Sequence, residues 1–133
     1  MIVLDASAAV EALIDVGDRG RQVREVMMLD GDWAMPAHGP TEVANALRGL
    51  RLARLTTDEE FRAQLDLLQR MELMLFPVSP LLSRIGDLAM NATAYDAAYL
   101  ALAEAIDARV LTTDRKLATV PGVRADVHVV SVG

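Results

Sequence analysis

The sequence predicts an α/β fold: a three-layer α/β/α sandwich built on a mostly parallel sheet of roughly five strands. Short apolar runs alternate with longer stretches of helical periodicity along the chain, the order that builds strand–helix–strand units. Runs such as Ile-Val-Leu-Asp at 2–5 and Val-Leu-Thr-Thr at 110–113 lack the apolar/polar alternation of a strand with one wet face, as expected of strands covered by helices on both sides. A length of 133 residues suits one domain, residues 1–133, which buries roughly two thirds of the surface its unfolded chain exposes.

The first apolar run, Ile2–Asp5, closes on an acid and is followed by a helical pattern over Ser7–Ile14 and a second over Gly20–Leu29. Trp33–Pro36 is the second strand and Pro40–Arg54 the helix after it. Asp58–Met74 reads as the next helix because it starts behind the cap-like Thr57 with an acidic first turn. Leu75–Val78 supplies the third strand, Leu81–Met90 and Asp96–Ile106 two more helices, and Val110–Thr112 the fourth strand. A short helical turn after Asp114 leads to the fifth strand at Val127–Val132. Glycine and proline are scattered, and no repeat, linker or low-complexity segment breaks the pattern.

With 53% hydrophobic and 24% charged residues and a mean hydropathy of +0.26, the chain is too apolar for disorder. Acids interrupt every stretch long enough to span a bilayer. The absence of cysteine excludes disulfides, thiolate zinc sites, iron–sulfur clusters and thiol nucleophiles. The N-terminal stretch has no basic region and carries Asp5, unlike a signal peptide, so a cytoplasmic location is expected. A net charge of −6 and a pI near 4.8 oppose nucleic-acid binding unless cations intervene. Twelve of the thirteen bases are Arg, which codon bias explains as simply as phosphate binding does.

Ligands of open parallel sheets bind beyond the carboxyl ends of the strands, near the point where strand order reverses. Asp5 ends the first strand and Asp114 follows the fourth, so both project from that edge. Glu42 lies in the first turn of the helix after the second strand, which starts at the same edge. Asp96 lies in the first turn of the helix before the fourth strand, and that helix must run antiparallel to the strand it feeds. The four carboxylates can therefore converge on one cleft.

Taken singly, each acid also suits an ordinary helix start, where a carboxylate caps backbone N–H groups and meets the positive end of the dipole. Taken together they repel: two unit charges about 4 Å apart cost roughly 4 kcal/mol at an effective dielectric near 20. A divalent cation supplies the missing counter-charge. Oxygen ligands without Cys or an evident His partner select Mg²⁺ or Mn²⁺ over zinc or copper. Setting the four acids aside leaves 15 acids against 13 bases, so an acidic protein still accepts a phosphate substrate once the ion is bound.

Four segments carry a family likeness: IVLDAS at 2–7, TEVANALR at 41–48, YDAAYLALAE at 95–104 and VLTTDRKL at 110–117. In order, and over nearly the whole chain, they resemble the PIN domain and specifically the VapC-type ribonuclease toxins of bacterial toxin–antitoxin pairs. By that resemblance Asp5, Glu42, Asp96 and Asp114 match the family's acidic metal-binding quartet. Ser7 matches the hydroxyl residue after the first Asp, Thr112 the Thr of a T-x-D motif, and Asn45 the polar residue one turn after the Glu. Some PIN domains carry a further acid shortly after the last Asp; here Lys116 and Ala118 stand there, which argues against a strongly held second ion. The resemblance implies hydrolysis of single-stranded or loop RNA to a 3′-hydroxyl and a 5′-phosphate. It also implies a homodimer and a cognate VapB-type antitoxin whose disordered tail folds over the cleft, with an Arg or Lys reaching the carboxylates.

Spacing adds detail around the acids. Asn45, three residues after Glu42, projects from the same side of its helix, while Val43, Ala46, Leu47 and Leu50 form the apolar stripe. Ser7 suits a helix N-cap better than a direct catalytic role, Thr112 offers a hydroxyl to orient a carboxylate, and His38 reads as a loop histidine. Arg48, Arg51 and Arg54 recur every three residues with no acid between Val43 and Thr57, a basic strip for RNA phosphates or a partner protein. Arg48 and Arg51 sit about 120° and 180° around the helix from Glu42, which favours the protein contact. Met27, Met28 and Leu29, with Met71 and Met74, read as core.

The expected function is thus a Mg²⁺- or Mn²⁺-dependent endoribonuclease, the toxin of a toxin–antitoxin module. Asp5, Asp96 and Asp114 hold the ion while Glu42 completes the site or orients and deprotonates water. Two rivals remain open on sequence. A haloacid-dehalogenase-like phosphotransferase needs a second Asp where Ser7 stands. A catalytically silent α/β protein-binding domain would use the acids only as caps, and dependence on metal separates it from the enzyme.

Overall fold

The computed structural model describes residues 1–14 and 17–131. Its elements run β1 (Ile2–Leu4), α1 (Ala6–Leu13), α2 (Asp18–Asp30), β2 (Trp33–Pro36), α3 (Gly39–Leu52), α4 (Asp58–Arg70) and β3 (Leu73–Phe76). A 3-10 turn at Ser79–Leu81 then leads into α5 (Leu82–Leu88), α6 (Ala94–Ala105), β4 (Arg109–Thr112), α7 (Arg115–Ala118) and β5 (Val127–Val129). The five strands form one sheet in the order β3-β2-β1-β4-β5, every pair parallel. The chain steps outward from β1 through β2 and β3, then returns to lay β4 on the other side of β1. Strand order therefore reverses between β1 and β4, with Ile2 facing Trp33 on one side and Arg109 on the other.

The non-alternating strand runs are explained by burial: Ile2, Val3, Leu4, Val110 and Leu111 have no exposed surface. Helices α1, α2, α3 and α4 pack among themselves, and α6 packs with α5 and across β1, β2 and β4. α6 is buried along its whole middle, Ala97 through Ala103. Its alanines let the helix axis approach the sheet closely, and its low amphipathicity is that of a helix with almost no wet face.

Element limits differ from the sequence reading in instructive places. The helix expected over Asp58–Met74 stops at Arg70, and the strand expected at Leu75–Val78 runs from Leu73 to Phe76. Met71 turns extended so that Leu73, Met74, Leu75 and Phe76 pair with all four residues of β2, and sheet pairing overrides the helix propensity of Leu and Met. Asp5 leaves the strand to cap α1. The last strand ends at Val129, whose partner Thr112 is the end of β4; Val132 lies outside the described residues. α3 ends at Leu52 rather than Arg54, which sits at φ 60°. There Arg54 N–H donates to Arg51 O and Leu55 N–H to Leu50 O, the paired bonds of a Schellman ending with Arg in the left-handed position usually taken by Gly.

The basic strip consequently breaks. Arg54 is off the helix, Arg51 Nε lies 3.7 Å from Asp58, and only Arg48 remains on an exposed helical position. The methionine groups are also only partly core. Met27 is buried, but Met28 and Leu29 are 74% and 87% exposed and Met74 and Leu75 about half exposed. Met27, Met28, Leu67 and Met71 line an apolar groove beside Trp33. Helical spacing sets the buried face of α2 along Gly20, Val23 and Met27, and Met28 and Leu29 lie off it.

Candidate active site

The reversal between β1 and β4 brings residues 5 and 112, 107 positions apart, into contact. Asp5 is the N-cap of α1, accepting from Ala8 N–H at 3.0 Å through Oδ1. Ser7 Oγ donates to the same oxygen at 2.6 Å, and Thr112 Oγ1 donates to Oδ2 at 2.6 Å. The two hydroxyls lie 3.2 Å apart. Each is fixed from behind, since Thr113 N–H donates to Ser7 Oγ at 3.0 Å and Asp114 N–H to Thr112 Oγ1 at 2.9 Å. Ser7 is thus a partner of Asp5 inside the first turn and not the cap that its position suggested; Asp5 itself takes that role. The Thr-x-Asp spacing places one hydroxyl between two acids.

Asp114 caps α7, accepting from Lys116 N–H at 3.0 Å. Asp96 sits three residues into α6 behind Thr93, whose hydroxyl accepts from Asp96 N–H at 3.1 Å. Glu42, in the first turn of α3, accepts a 2.7 Å bond from Tyr99 Oη on α6. Capping and clustering are therefore not alternatives: helix starts aimed at one sheet edge cap themselves and gather charge by the same geometry.

The electrostatics of the edge falls on Asp5 and Asp96. Burial, with Asp5 only 5% exposed, pushes its carboxyl above the ordinary value of 3.8; the bonds from Ser7, Thr112 and Ala8 oppose this and the charge of Asp114 adds to it. Asp96 is also raised, first by burial and then by the charges of Glu42, Asp5 and Asp114. Burial, followed by the bond to Glu42, raises the Tyr99 hydroxyl, so Tyr99 remains a donor. Among the described residues no three acids are drawn tightly enough to enclose an ion by themselves. The arrangement is instead open: oxygen donors only, like charges that add to the rise of Asp5 and Asp96, and, among the described residues, no basic side chain in an ion pair with Asp5, Asp96 or Glu42. That donor set fits a hard divalent cation that keeps part of its water.

Asn45 is exposed one turn after Glu42 and lines a recess of about 370 Å³ with His38, Thr41, Glu42 and Tyr95. Three residues near the acids escape the sequence reading. Thr93 carries the cap of α6; Tyr99 anchors Glu42; and His38, taken as a loop residue, packs its ring 5.2 Å from Tyr99 and 5.7 Å from Tyr95. The available signal is that both tyrosines of the chain flank Asp96, at −1 and +3, and the +3 position shares its helix face.

A parallel sheet with acids gathered at its switch point and hydroxyls holding the first of them defines a nuclease-like α/β site. The chain matches the PIN domain family over residues 2–123. It is 36% identical over 129 residues to Ribonuclease VapC1 of Mycobacterium tuberculosis, covering 96% of each chain. It is 34% identical over 130 residues to Ribonuclease VapC9 of the same organism, covering 98% of each. The fold is shared with VapBC2 from Rickettsia felis, solved bound to a DNA fragment from their promoter, at a TM-score of 0.70 and 16% identity over 98% of this chain and 100% of that one. The chain belongs to the PIN domain family, among the VapC ribonucleases.

Proposed function

We propose that residues 1–133 form one PIN-type nuclease domain that hydrolyses RNA phosphodiester bonds as the toxin of a toxin–antitoxin module. The single observation that carries this reading is the set of four uncompensated acids, Asp5, Glu42, Asp96 and Asp114, at the sheet's switch point in a chain related along its whole length to ribonucleases. Mg²⁺ or Mn²⁺ is the ion that such oxygens would hold; when bound it supplies charge for the scissile phosphate and lowers the pKa of water. Asp5, Asp96 and Asp114 would bind the ion, with Asp5 held in place by the Ser7 and Thr112 hydroxyls. Glu42, held through one oxygen by Tyr99, has its second oxygen available to orient water and take its proton.

Among the described residues no helix is long and apolar enough to cross a membrane, in keeping with a cytoplasmic enzyme. The kinship to VapC proteins, with a fold neighbour solved as VapBC2, supports a VapB-type antitoxin as partner. Arg48 and the exposed apolar residues Met28 and Leu29 suit protein contacts better than the scissile phosphate.

The experiment is incubation of the purified chain with total RNA, with and without Mg²⁺ or Mn²⁺, followed by mapping of new 5′ ends. Metal-dependent cuts that disappear in Asp96→Asn support the reading. Intact RNA under all conditions would leave a silent binding domain.

A further inference from the structure

The acids divide the cleft into two unlike recesses. One, about 410 Å³, runs between Asp96 and Asp114 and includes Thr93, Lys116 and Thr119. The other, about 370 Å³, is walled by Tyr95 and His38, with Glu42 on one side and Thr41 and Asn45 along its rim. We propose that this second recess is a nucleobase subsite in which an unpaired base of the RNA stacks on Tyr95 while Asn45 and Thr41 read its edge. The inference rests on the nuclease reading above and adds to it where the base beside the scissile phosphate goes.

Three observations carry it. Among the Trp, Tyr and Phe side chains Tyr95 is the exposed one, at 64%, although an aromatic ring of that size is ordinarily covered. It is braced rather than loose, since the His38 ring packs against it at an interplanar angle of 57°, and His38 itself meets the buried Tyr99 edge-on at 67°. And His38 Nε2 is buried without a hydrogen-bond partner, in the wall of a recess whose lining also carries the Asn45 amide, the Thr41 and Tyr95 hydroxyls and the Glu42 carboxylate. Single-stranded RNA is recognised by this combination, a fixed π-face with donors and acceptors for base edges. A base inside a duplex has both faces covered by its neighbours, so a ring offered for stacking selects unpaired nucleotides. Position supports it too: Tyr95 directly precedes Asp96, and Glu42 lines the recess itself, so a base seated there places its phosphate over the acids.

The test is anisotropy of a labelled single-stranded RNA heptamer pool of random sequence, bound in Ca²⁺ to wild type, Tyr95→Ala, Tyr95→Leu and Tyr95→Phe, with melting curves and Mn²⁺ titration of each. Loss of one stacked base weakens binding by about 5- to 150-fold. That loss is expected for both the Ala and the Leu variant, with Mn²⁺ affinity and melting temperature unchanged, and Phe is expected to bind within about twofold of wild type. Two variants without a ring guard against one failing to fold. Wild-type affinity in the Ala and Leu variants, or a loss in Phe as large as in Ala, overturns the stacking subsite alone. Failure of the wild type to bind RNA overturns the nuclease reading and the subsite together.

Discussion

Helix α6 holds a carboxylate near each end, and the two sit in opposite surroundings. Near its C-terminus Glu104 accepts from Arg84 at 2.7 and 3.2 Å and from Arg124 N–H at 2.8 Å, while Arg84 also donates to Gly122 O at 2.6 Å. Burial alone would raise Glu104; the Arg84 bond, the Arg124 N–H and both guanidinium charges hold it below its ordinary 4.5. Near the N-terminus Asp96 is raised, first by burial and then by the charges of Glu42, Asp5 and Asp114. The first carboxylate ties the loop before β5 to the helix layer. The second adds strain that an ion would relieve. A compensated acid fastens two elements together and an uncompensated one leaves its charge at the edge of the sheet, even when both ride on one helix.

The largest expected effects fall at the Asp96 end. Asp96→Asn and Asp114→Asn are expected to lower metal-dependent cleavage about a hundredfold or more, yet leave the melting temperature of the metal-free protein unchanged or higher, because each removes like-charge repulsion. Asp5→Asn belongs with them: the amide can donate to Thr112 Oγ1 while Thr112 turns its hydroxyl towards Ser7, and Asn is itself a good cap. At the other end Arg84→Ala is expected to do the reverse, lowering the melting temperature by several degrees while cleavage per folded molecule is retained. Thermal melts beside end-point cleavage assays separate the two outcomes.

Acidity distinguishes the ends by sign. A raised carboxyl binds its proton more tightly in the fold than in the unfolded chain. In the metal-free protein Asp5 and Asp96 therefore favour folding below the ordinary carboxylate range and lose that contribution as pH rises through their raised values. Glu104 contributes stability above the ordinary range and loses it as pH falls through its lowered value. Melting temperature against pH is expected to fall less steeply on the neutral side in Asp96→Asn, and to lose part of its acid-side fall in Glu104→Gln. Identical profiles for the two variants would erase the distinction.

Smaller effects sharpen it. Tyr99→Phe removes a buried donor from Glu42 and is expected to cost about 1–2 kcal/mol of stability, read from denaturant midpoints at constant slope. Smaller still is Asp107→Gly. Asp107 ends α6 at φ 54°, with Ala108 N–H donating to Ala103 O, and Gly there is expected to add about 0.5–1 kcal/mol.

How much of this was written openly in the sequence follows from which interactions are local. Strand runs, helix phases and the edge at which each acid emerges depend on periodicity and chain direction, and Asp5, Glu42, Asp96 and Asp114 stand where that logic puts them. The turn from α4 to β3 depended instead on the demand of β2 for four partners, which the leucines and methionines of 71–76 do not declare. The end of α3 needed a left-handed residue, and Arg54 hides it because Gly is the usual sign. Tyr99 and His38 are illegible for a different reason: their roles exist only once α3 and α6, more than fifty residues apart, have crossed the edge of the sheet.

The contact of Ser7 and Thr112 with Asp5 has a consequence in time. During synthesis β1 emerges first and pairs with β2, but its other neighbour, β4, and the Asp114 that follows it come over a hundred residues later. Until then Asp5 has half its hydroxyl support and the cleft lacks one wall. A polypeptide leaving the ribosome therefore carries no assembled acidic edge until β4 and Asp114 are out, and the machine making it meets a finished cleft only after that.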